Sequence, residues 1–294
     1  MHLKVYEPST RFPPISLSGT ECRLNCLHCS RAYLRGMQPA KTEDDLLATL
    51  HKLKAEGAIG VLLSGGSTQE GGILNLRERV ETIRQAKAET GLIMNLHPGL
   101  IDDATARALA GVIDVASLEI PSPATIRDVF RLDATVEAYI ETYDSLCDVG
   151  IPVVPHVSIY NGDEDRLLAA LAPSTGRPEP EAIVVIVFTP TRNTPMGEAE
   201  PATPESVGNV VARIRDSFPD TEVALGCMRP RTRELRVALE LAALDGGIAR
   251  IELPTRQTLA VAQERGYEII HFDACCALPA ALEQGARSQK PRAE

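Results

Sequence analysis

Three cysteines lie within eight residues near the start of the chain, in the segment TECRLNCLHCSR. Cys22, Cys26 and Cys29 have the spacing C-x3-C-x2-C. A structural zinc site takes four protein ligands, and one close cysteine pair is usually matched by a second pair or by histidines further along the chain. Here no second pair follows nearby. A [4Fe–4S] cluster offers four irons, so three thiolates can hold it and leave one iron open. The spacing therefore predicts an iron–sulfur cluster with a free coordination position.

Composition and charge exclude several other classes of protein. The 294 residues are 44% hydrophobic and 24% charged, which is typical of one globular domain, and we expect a single domain over 1–294. The net charge of −10, without a basic stripe, argues against a nucleic-acid partner. No targeting segment or bilayer-spanning apolar run is evident, so we expect a cytoplasmic protein without a membrane partner. Seven cysteines in a reducing compartment then indicate metal binding or catalysis rather than disulfides.

Short β-branched runs alternate with longer amphipathic stretches, as in βα units on a parallel sheet. The runs predict eight strands, at 15–18, 59–64, 92–96, 112–118, 153–159, 183–188, 222–225 and 247–251. The stretches between them predict helices at 42–56, 76–89, 136–147, 204–217 and 232–244.

Eight such repeats predict an α/β fold of the (βα)8 TIM-barrel type, whose active site lies on the loops after the carboxyl ends of the strands. We expect the barrel core over about 13–266 and a C-terminal extension over 267–294. In this extension an extended stretch at 267–272 should return Cys275 and Cys276 to the active face. The charged residues from about 284 onward are expected to be disordered.

The cysteine spacing, placed directly after the first strand, resembles the signature of the radical S-adenosylmethionine (radical SAM) superfamily. The resemblance implies that Cys22, Cys26 and Cys29 hold a [4Fe–4S] cluster whose open iron binds the amino and carboxylate groups of S-adenosylmethionine. It further implies that an electron from a donor such as ferredoxin or flavodoxin releases a 5′-deoxyadenosyl radical. The family usually has an aromatic residue where this chain has His28, so we interpret His28 as a variant that contacts the adenine.

Other motifs resemble the segments that bind S-adenosylmethionine in this family. LLSGGS ends the second strand, where the family carries a Gly-Gly motif whose backbone binds the methionine amino group. SLEIPS ends the fourth strand, where a carboxylate accepts hydrogen bonds from the ribose diol; a surface glutamate is the alternative. TPTRNTPM resembles the segment beside the adenine in the biotin synthase group. The implied cofactor contacts are His28, Ser64, Gly65, Gly66, Ser67, Ser117, Glu119, His156, Ile159, Thr194, Pro195 and Met196.

Three further cysteines fall where barrel geometry can bring them to the active face. Cys227 follows the seventh strand in LGCMRPR, and Cys275 with Cys276 ends the returning segment. Three thiolates at one place can hold an auxiliary iron–sulfur cluster. The alternative is that Cys227 only packs and that the adjacent pair is incidental, because adjacent cysteines are a strained way to ligate one cluster.

The motifs together resemble the two-component lipoyl synthases within the biotin synthase-like branch. GTECRLNCLHCSR, LLSGGS, VPHVSIY, NTPMGE, GCMRPR and the C-terminal CC carry this resemblance. It implies sulfur insertion into an octanoyl chain on a lysine of an acceptor protein, together with a paired radical SAM synthase. It also makes Arg229 and Arg231 candidates for contacting the cluster or the substrate, with a solvated basic turn as the alternative. No side chain is indicated as a general acid or base.

Two other functions stay open at this level. A radical mutase or maturase of the same branch would need a single cluster, of about four irons. A non-catalytic iron–sulfur or zinc protein could use the barrel as an interaction scaffold, and it would not cleave S-adenosylmethionine.

Overall fold

A computed structural model describes residues 1–172 and 179–288 of the chain. Over these ranges the strands form one sheet of eleven members in which every named pairing is parallel. The strands are β1 (His2–Tyr6), β2 (Pro14–Ser16), β3 (Gln38–Pro39), β4 (Gly60–Ser64), β5 (Ile93–Leu96), β6 (Val115–Glu119), β7 (Val153–Ile159), β8 (Ala182–Val187), β9 (Glu222–Leu225), β10 (Arg250–Glu252) and β11 (Glu268–Phe272).

Helices connect most of these strands. Several helices begin at a threonine N-cap whose side chain accepts a backbone N–H, as Thr42 does from Asp45 (3.1 Å) and Thr203 does from Ser206 (3.2 Å). Within the described ranges no helix has both the length and the apolar composition needed to cross a bilayer. The helices are α1 (Glu43–Ala55), α2 (Leu76–Thr90), α3 (Asp103–Leu109), α4 (Val136–Asp148), α5 (Glu164–Leu171), α6 (Pro204–Ser217), α7 (Arg233–Gly246), α8 (Arg256–Glu264) and α9 (Ala280–Ala286).

The predicted α/β barrel is confirmed, with an addition at its edge. All eight predicted strands are present as β2 and β4 to β10, and the five predicted helices are present as α1, α2, α4, α6 and α7. The sheet order is β11-β1-β10-β9-β8-β7-β6-β5-β4-β2-β3, so β1 lies between β10 and β11. The sequence-based core of 13–266 left β1 out. Among the described strands no pairing joins β11 to β2 or β3, so the sheet is curled but open along one seam.

Alternate residues of each strand face two different cores, because side chains alternate across a sheet. Leu118 and Val157 pack in the layer between sheet and helices. Val154 and Val184 belong to a second cluster, inside the barrel. This inner cluster lies towards the amino ends of the strands. Towards the carboxyl ends of β6 and β7 the inward-facing residues are polar, as Ser117, Glu119 and Ser158 are. A polar ligand can therefore bind at this end of the barrel.

The C-terminal segment descends into the barrel after β11. Cys276 and Leu278 are buried in the inner cluster. Arg250, inward-facing on β10, donates from Nη1 to the carbonyl oxygens of both residues, at 3.1 and 2.7 Å. Ala280 then donates its N–H to the carboxylate of Glu181, beside the first residue of β8 (2.8 Å). The segment therefore closes the amino-terminal end of the lumen.

The expected disorder from about residue 284 is wrong for the first of these residues. Residues 284–286 belong to α9, and the N–H of Asp273 donates to the carbonyl of Ala286 (2.8 Å), which ties the end of α9 to the end of β11. Residues 289–294 lie outside the described residues.

Glu283 fixes α9 to the barrel, and its removal should destabilise the fold. Its carboxylate accepts from Tyr6 Oη (2.7 Å) and Lys4 Nζ (3.0 Å) and lies 3.3 Å from Arg250 Nη2. Breaking a buried ion pair leaves uncompensated charge, so Glu283→Gln should lower the free energy of unfolding by about 2 kcal/mol. Urea denaturation measures this. The exposed neighbour Gln284 is the control: Gln284→Ala should change stability by less than about 0.5 kcal/mol. Equal effects would contradict the anchoring role.

Candidate active site

The three signature cysteines lie on the loop between β2 and β3, at the carboxyl end of β2. Backbone hydrogen bonds hold this loop to its neighbours: Leu27 N–H donates to Val129 O (2.9 Å), and Arg23 N–H donates to Ser67 O (2.8 Å). Directly after Cys29 two non-glycine residues have positive φ, Ser30 at 41° and Arg31 at 67°. Such conformations cost free energy and persist where surrounding contacts impose them, often at functional sites.

The thiols of the triad converge on one cavity. Cys26 and Cys29 hydrogen-bond to each other, which lowers the pKa of Cys29 to about 4 and raises that of Cys26 well above its usual range. The Cys22 sulfur accepts the backbone N–H of Ser67 at 3.2 Å. All three are half-buried and line the same space. Half-buried thiols that face one cavity, one of them with a backbone donor to its sulfur, fit the cysteine loop of an iron–sulfur cluster.

The Gly-Gly motif packs directly against the cysteine loop. A Cβ on Gly66 would lie 1.9 Å from the Glu21 carbonyl oxygen and 2.6 Å from the Cys22 Cα, both of which are backbone atoms. Gly66 N–H also donates to the Ser18 hydroxyl at 2.7 Å. Glycine at this position therefore allows the β4 loop to support the loop that carries the cysteines.

A cavity of about 340 Å³ opens beside these motifs at the carboxyl ends of the strands. The predicted cofactor contacts that line it are His28, Ser64, Gly65, Gly66, Ser67, Ser117 and Glu119. Two buried polar atoms in its wall, His28 Nδ1 and Glu119 Oε1, have no hydrogen-bond partner among residues 1–172 and 179–288. Because an unpartnered buried polar atom is costly, such atoms indicate a site built for a polar ligand.

Glu119 is the carboxylate of this cavity. Its burial raises its pKa to about 7, although the hydrogen bond from Ser158 acts in the opposite direction. The unpartnered oxygen is placed to accept hydrogen bonds from a ligand that bears hydroxyl groups, as a ribose does.

The other predicted cofactor contacts lie around the cavity rather than in its wall. His156 is buried beneath it and meets the cavity-lining His97 edge-on, with 4.9 Å between ring centroids. Ile159 is fully buried in the layer between sheet and helices, so its side chain faces away from the cavity.

Thr194, Pro195 and Met196 follow β8, and Met196 N–H donates to Leu27 O (3.4 Å) on the cysteine loop.

Sequence reasoning missed several aromatic residues of the wall. Tyr160 and Phe188 stack with 5.2 Å between centroids, and both line the cavity with Tyr139. Tyr160 and Phe188 are the first residues after β7 and β8. Their positions at the carboxyl ends of predicted strands could have indicated that they belong to the active site.

A second group of thiols gathers at the ends of β9, β10 and β11. A carboxylate oxygen of Glu252 and the sulfurs of Cys275 and Cys276 all lie within 4.8 Å of one another. Cys227, which is exposed after β9, interacts electrostatically with both Glu252 and Cys275, which places it near this group. The three cysteines predicted for an auxiliary site are therefore adjacent in space, joined by a glutamate that sequence reasoning did not select.

The two candidate arginines occupy different surroundings. Arg229 is buried, and its guanidinium donates to the Glu240 carboxylate and to the main-chain carbonyls of Glu252 (2.8 Å) and Leu253 (2.9 Å). It thus fixes the end of β10, where Glu252 lies. Arg231 is exposed and acts electrostatically on Tyr33, which lines the cavity.

Comparison with known proteins identifies the family. Residues 17–170, which include the cysteine loop, the Gly-Gly motif and Glu119, match the model of the "Radical SAM superfamily". The chain belongs to the radical SAM superfamily. It is 24% identical over 238 residues to a biotin synthase from Leptothrix cholodnii, covering 78% of this chain and 68% of that protein. It therefore falls in the biotin synthase-like branch.

Two solved structures share the fold. Methylornithine synthase superposes with a TM-score of 0.60 at 18% identity, covering 85% of this chain and 72% of that one. The FeFe-hydrogenase maturase HydG from Carboxydothermus hydrogenoformans superposes with a TM-score of 0.64 at 15% identity, covering 91% and 67%. These likenesses support the barrel.

Membership of the radical SAM superfamily implies a [4Fe–4S] cluster and S-adenosylmethionine, and an enzyme rather than a passive scaffold. The residues present fit both groups. Cys22, Cys26 and Cys29 would hold the cluster, and the buried polar atoms of His28 and Glu119 would contact S-adenosylmethionine.

Replacing Gly66 should damage the signature site more than the fold. In Gly66→Ala the new methyl group meets backbone atoms of the cysteine loop, so this loop must move. We expect loss of at least half of the signature-cluster iron in anaerobically reconstituted protein. We also expect about tenfold weaker binding of S-adenosylmethionine, equivalent to about 1.4 kcal/mol.

Gly36 supplies the control for this variant, since a Cβ there meets no atom within 4 Å. Gly36→Ala should retain iron and affinity. Wild-type iron content and affinity in Gly66→Ala would contradict the role assigned to the contact.

Glu119 should make the stability of the metal-free protein depend on pH. A glutamate in the unfolded chain ionises near 4.5, whereas folded Glu119 keeps its proton to about 7. Unfolding therefore releases a proton between these values, and stability falls as pH rises through this window. Relative to Glu119→Gln, the wild type should lose about 2–3 kcal/mol between pH 5 and pH 8. Denaturant titrations of both proteins measure this, and parallel pH profiles would contradict it.

Proposed function

We propose that this radical SAM enzyme inserts sulfur into an octanoyl chain carried on a lysine of an acceptor protein, as a lipoyl synthase component. The observation that carries the proposal is the convergence of Cys227, Cys275 and Cys276 at the carboxyl ends of β9 and β11. Sulfur insertion at an unactivated carbon needs a sulfur source besides the radical generator. A second thiolate set at the same end of the barrel supports that requirement.

The chemistry divides between two sites. When bound, the signature cluster and S-adenosylmethionine supply a radical that removes a hydrogen atom from carbon, and an auxiliary cluster supplies sulfide. The chain itself would hold and orient these groups. His28, Glu119 and the Gly-Gly backbone would position S-adenosylmethionine, and Ser67 N–H would stabilise the Cys22 thiolate.

The cavity wall suits an acyl substrate. Apolar side chains of Leu24, Ile73, Leu132 and Ile186 line it beside the polar ligand site. An acyl chain buries its methylene groups favourably against such surfaces, at about 0.8 kcal/mol for each.

The same wall leads towards the second thiolate set. Met228 lines the cavity next to Cys227 in sequence, and its carbonyl accepts the N–H of Val187 at 3.0 Å. This bond holds the Cys227 loop against the end of β8. The arrangement supports a substrate path between the two cysteine sets.

Iron analysis separates this proposal from a single-cluster mutase or maturase of the same branch. Anaerobically reconstituted wild-type protein should contain about eight irons per chain, and Cys227→Ala/Cys275→Ala/Cys276→Ala about four. Cys147, on α4, provides the matched control, and Cys147→Ala should keep about eight. About four irons in the wild type, unchanged in the triple variant, would favour the single-cluster function.

Mass spectrometry of a model peptide tests the proposed substrate. Wild-type enzyme incubated anaerobically with an octanoyl-lysine peptide, dithionite and S-adenosylmethionine should give a peptide with one added sulfur. The triple variant should still release 5′-deoxyadenosine but leave the peptide without sulfur, because its radical site is intact. Unchanged peptide beside 5′-deoxyadenosine from the wild type would contradict the lipoyl synthase assignment.

A further inference from the structure

We propose that Glu252 is the fourth protein ligand of the auxiliary iron–sulfur cluster, completing a set of three thiolates and one carboxylate with Cys227, Cys275 and Cys276. This inference rests on the proposed function, because it assumes that the second group of cysteines binds a cluster. It adds a ligand that no sequence motif indicates.

The geometry places the carboxylate among the thiols. A Glu252 carboxylate oxygen lies within 4.8 Å of both the Cys275 and the Cys276 sulfur, and those sulfurs lie within the same distance of each other. Cys227, at the end of β9, lies close enough to interact electrostatically with both Glu252 and Cys275. Three of the potential ligands therefore surround one region at the carboxyl end of the barrel, and Cys227 lies beside it.

Among the described residues Glu252 forms no direct ion pair. Arg229 acts on its carboxylate electrostatically, but this guanidinium ion-pairs with Glu240 and contacts Glu252 only through the main-chain carbonyl. The ion pairs found within the described ranges do not include Glu252, although its side chain is 4% exposed. A buried carboxylate without a cation is strongly unfavourable, and it becomes favourable when it coordinates a metal.

The backbone presents the adjacent cysteines to a common point. Cys276 N–H donates to Glu252 Oε2 at 3.2 Å, and Arg250, at the start of β10, donates a hydrogen bond to the Cys276 carbonyl. The sulfurs of Cys275 and Cys276 lie within 4.8 Å of each other, so they already face the same region. Adjacent cysteines can therefore both ligate one cluster at this position.

A carboxylate ligand would give one iron a distinct character. Thiolates are the soft ligands that iron–sulfur clusters prefer, whereas a carboxylate is a harder donor that suits harder ions. Replacing a thiolate by another donor also changes the electronic properties of the iron that carries it, as histidine does in other clusters. The iron bound by Glu252 should therefore be spectroscopically distinct and more easily lost.

The test isolates the auxiliary cluster by removing the signature one. The background variant Cys22→Ala/Cys26→Ala/Cys29→Ala is reconstituted anaerobically with 57Fe and sulfide, and iron content and Mössbauer spectra are recorded. The background should hold about four irons, with one iron site distinct from the others. Adding Glu252→Gln should lower the iron content at least twofold and remove the distinct site.

Glu252→Cys, in the same background, distinguishes ligation from a structural role. A fourth thiolate should restore about four irons and give a spectrum of equivalent thiolate-bound sites. A merely structural glutamate would not be rescued by cysteine. Glu240→Gln is the matched control, since it weakens the neighbouring Arg229 network without removing a proposed ligand, and it should keep the distinct site.

The outcomes separate this inference from the function on which it rests. If Glu252→Gln and Glu252→Cys both give the iron content and spectrum of the background, Glu252 is not a ligand and the auxiliary cluster stands. If the background binds no iron while wild type binds about four, the auxiliary cluster itself is absent and both proposals fall.

Discussion

The buried guanidinium of Arg250 organises the part of the barrel on which the second cysteine set depends. It reaches Glu222 on β9, Glu283 on α9 and two carbonyls of the C-terminal segment, and it lies 5.7 Å from the centre of the Tyr6 ring. A charge this deeply buried is tolerable only when its donors are satisfied. Satisfying them requires the C-terminal segment inside the lumen, and that placement brings Cys275 and Cys276 beside Glu252.

Several groups at the carboxyl end of the barrel raise the free energy of the folded state, and favourable interactions in the rest of the fold compensate for them. Ser30 and Arg31 hold unfavourable backbone conformations, and His28 Nδ1 and Glu119 Oε1 are buried without a hydrogen-bond partner in the part of the chain that the structure describes. These features lower the stability of the folded protein. They also mean that a bound cofactor meets groups already in place, so that little ordering is left for the moment of binding.

Local sequence patterns were sufficient for the eight central strands and five helices because strands and helices alternate regularly through that part of the chain. The strand β1 precedes this alternation, and its pairing partners lie more than 240 positions away, so no local pattern indicates its place in the sheet. Ile159 shows a related limit. Side chains alternate between the helices and the lumen along a strand, and β7 is buried on both faces, so its composition does not show which side Ile159 takes.

The residues of the candidate site also fall into two groups, those that the sequence pattern reveals and those that only the structure reveals. The signature cysteines and the Gly-Gly pair are close in sequence or follow consecutive predicted strands, so their type and spacing reveal them. Glu252 is one of 40 acidic residues, and only its proximity to the sulfurs of Cys275 and Cys276 distinguishes it. Arg229 is recognisable as a residue of interest, but its partner Glu240 is visible only in three dimensions.

The position of β1 between β10 and β11 also governs the order in which the molecule can be assembled. During synthesis the signature loop and its supporting strands emerge early, whereas β1 must wait for almost the whole chain before its neighbours exist. Cys275 and Cys276 follow β11, so these two thiols can join Glu252 only when nearly all of the chain has been made. The two groups of cysteines are thus separated in the time of synthesis as well as in position along the chain.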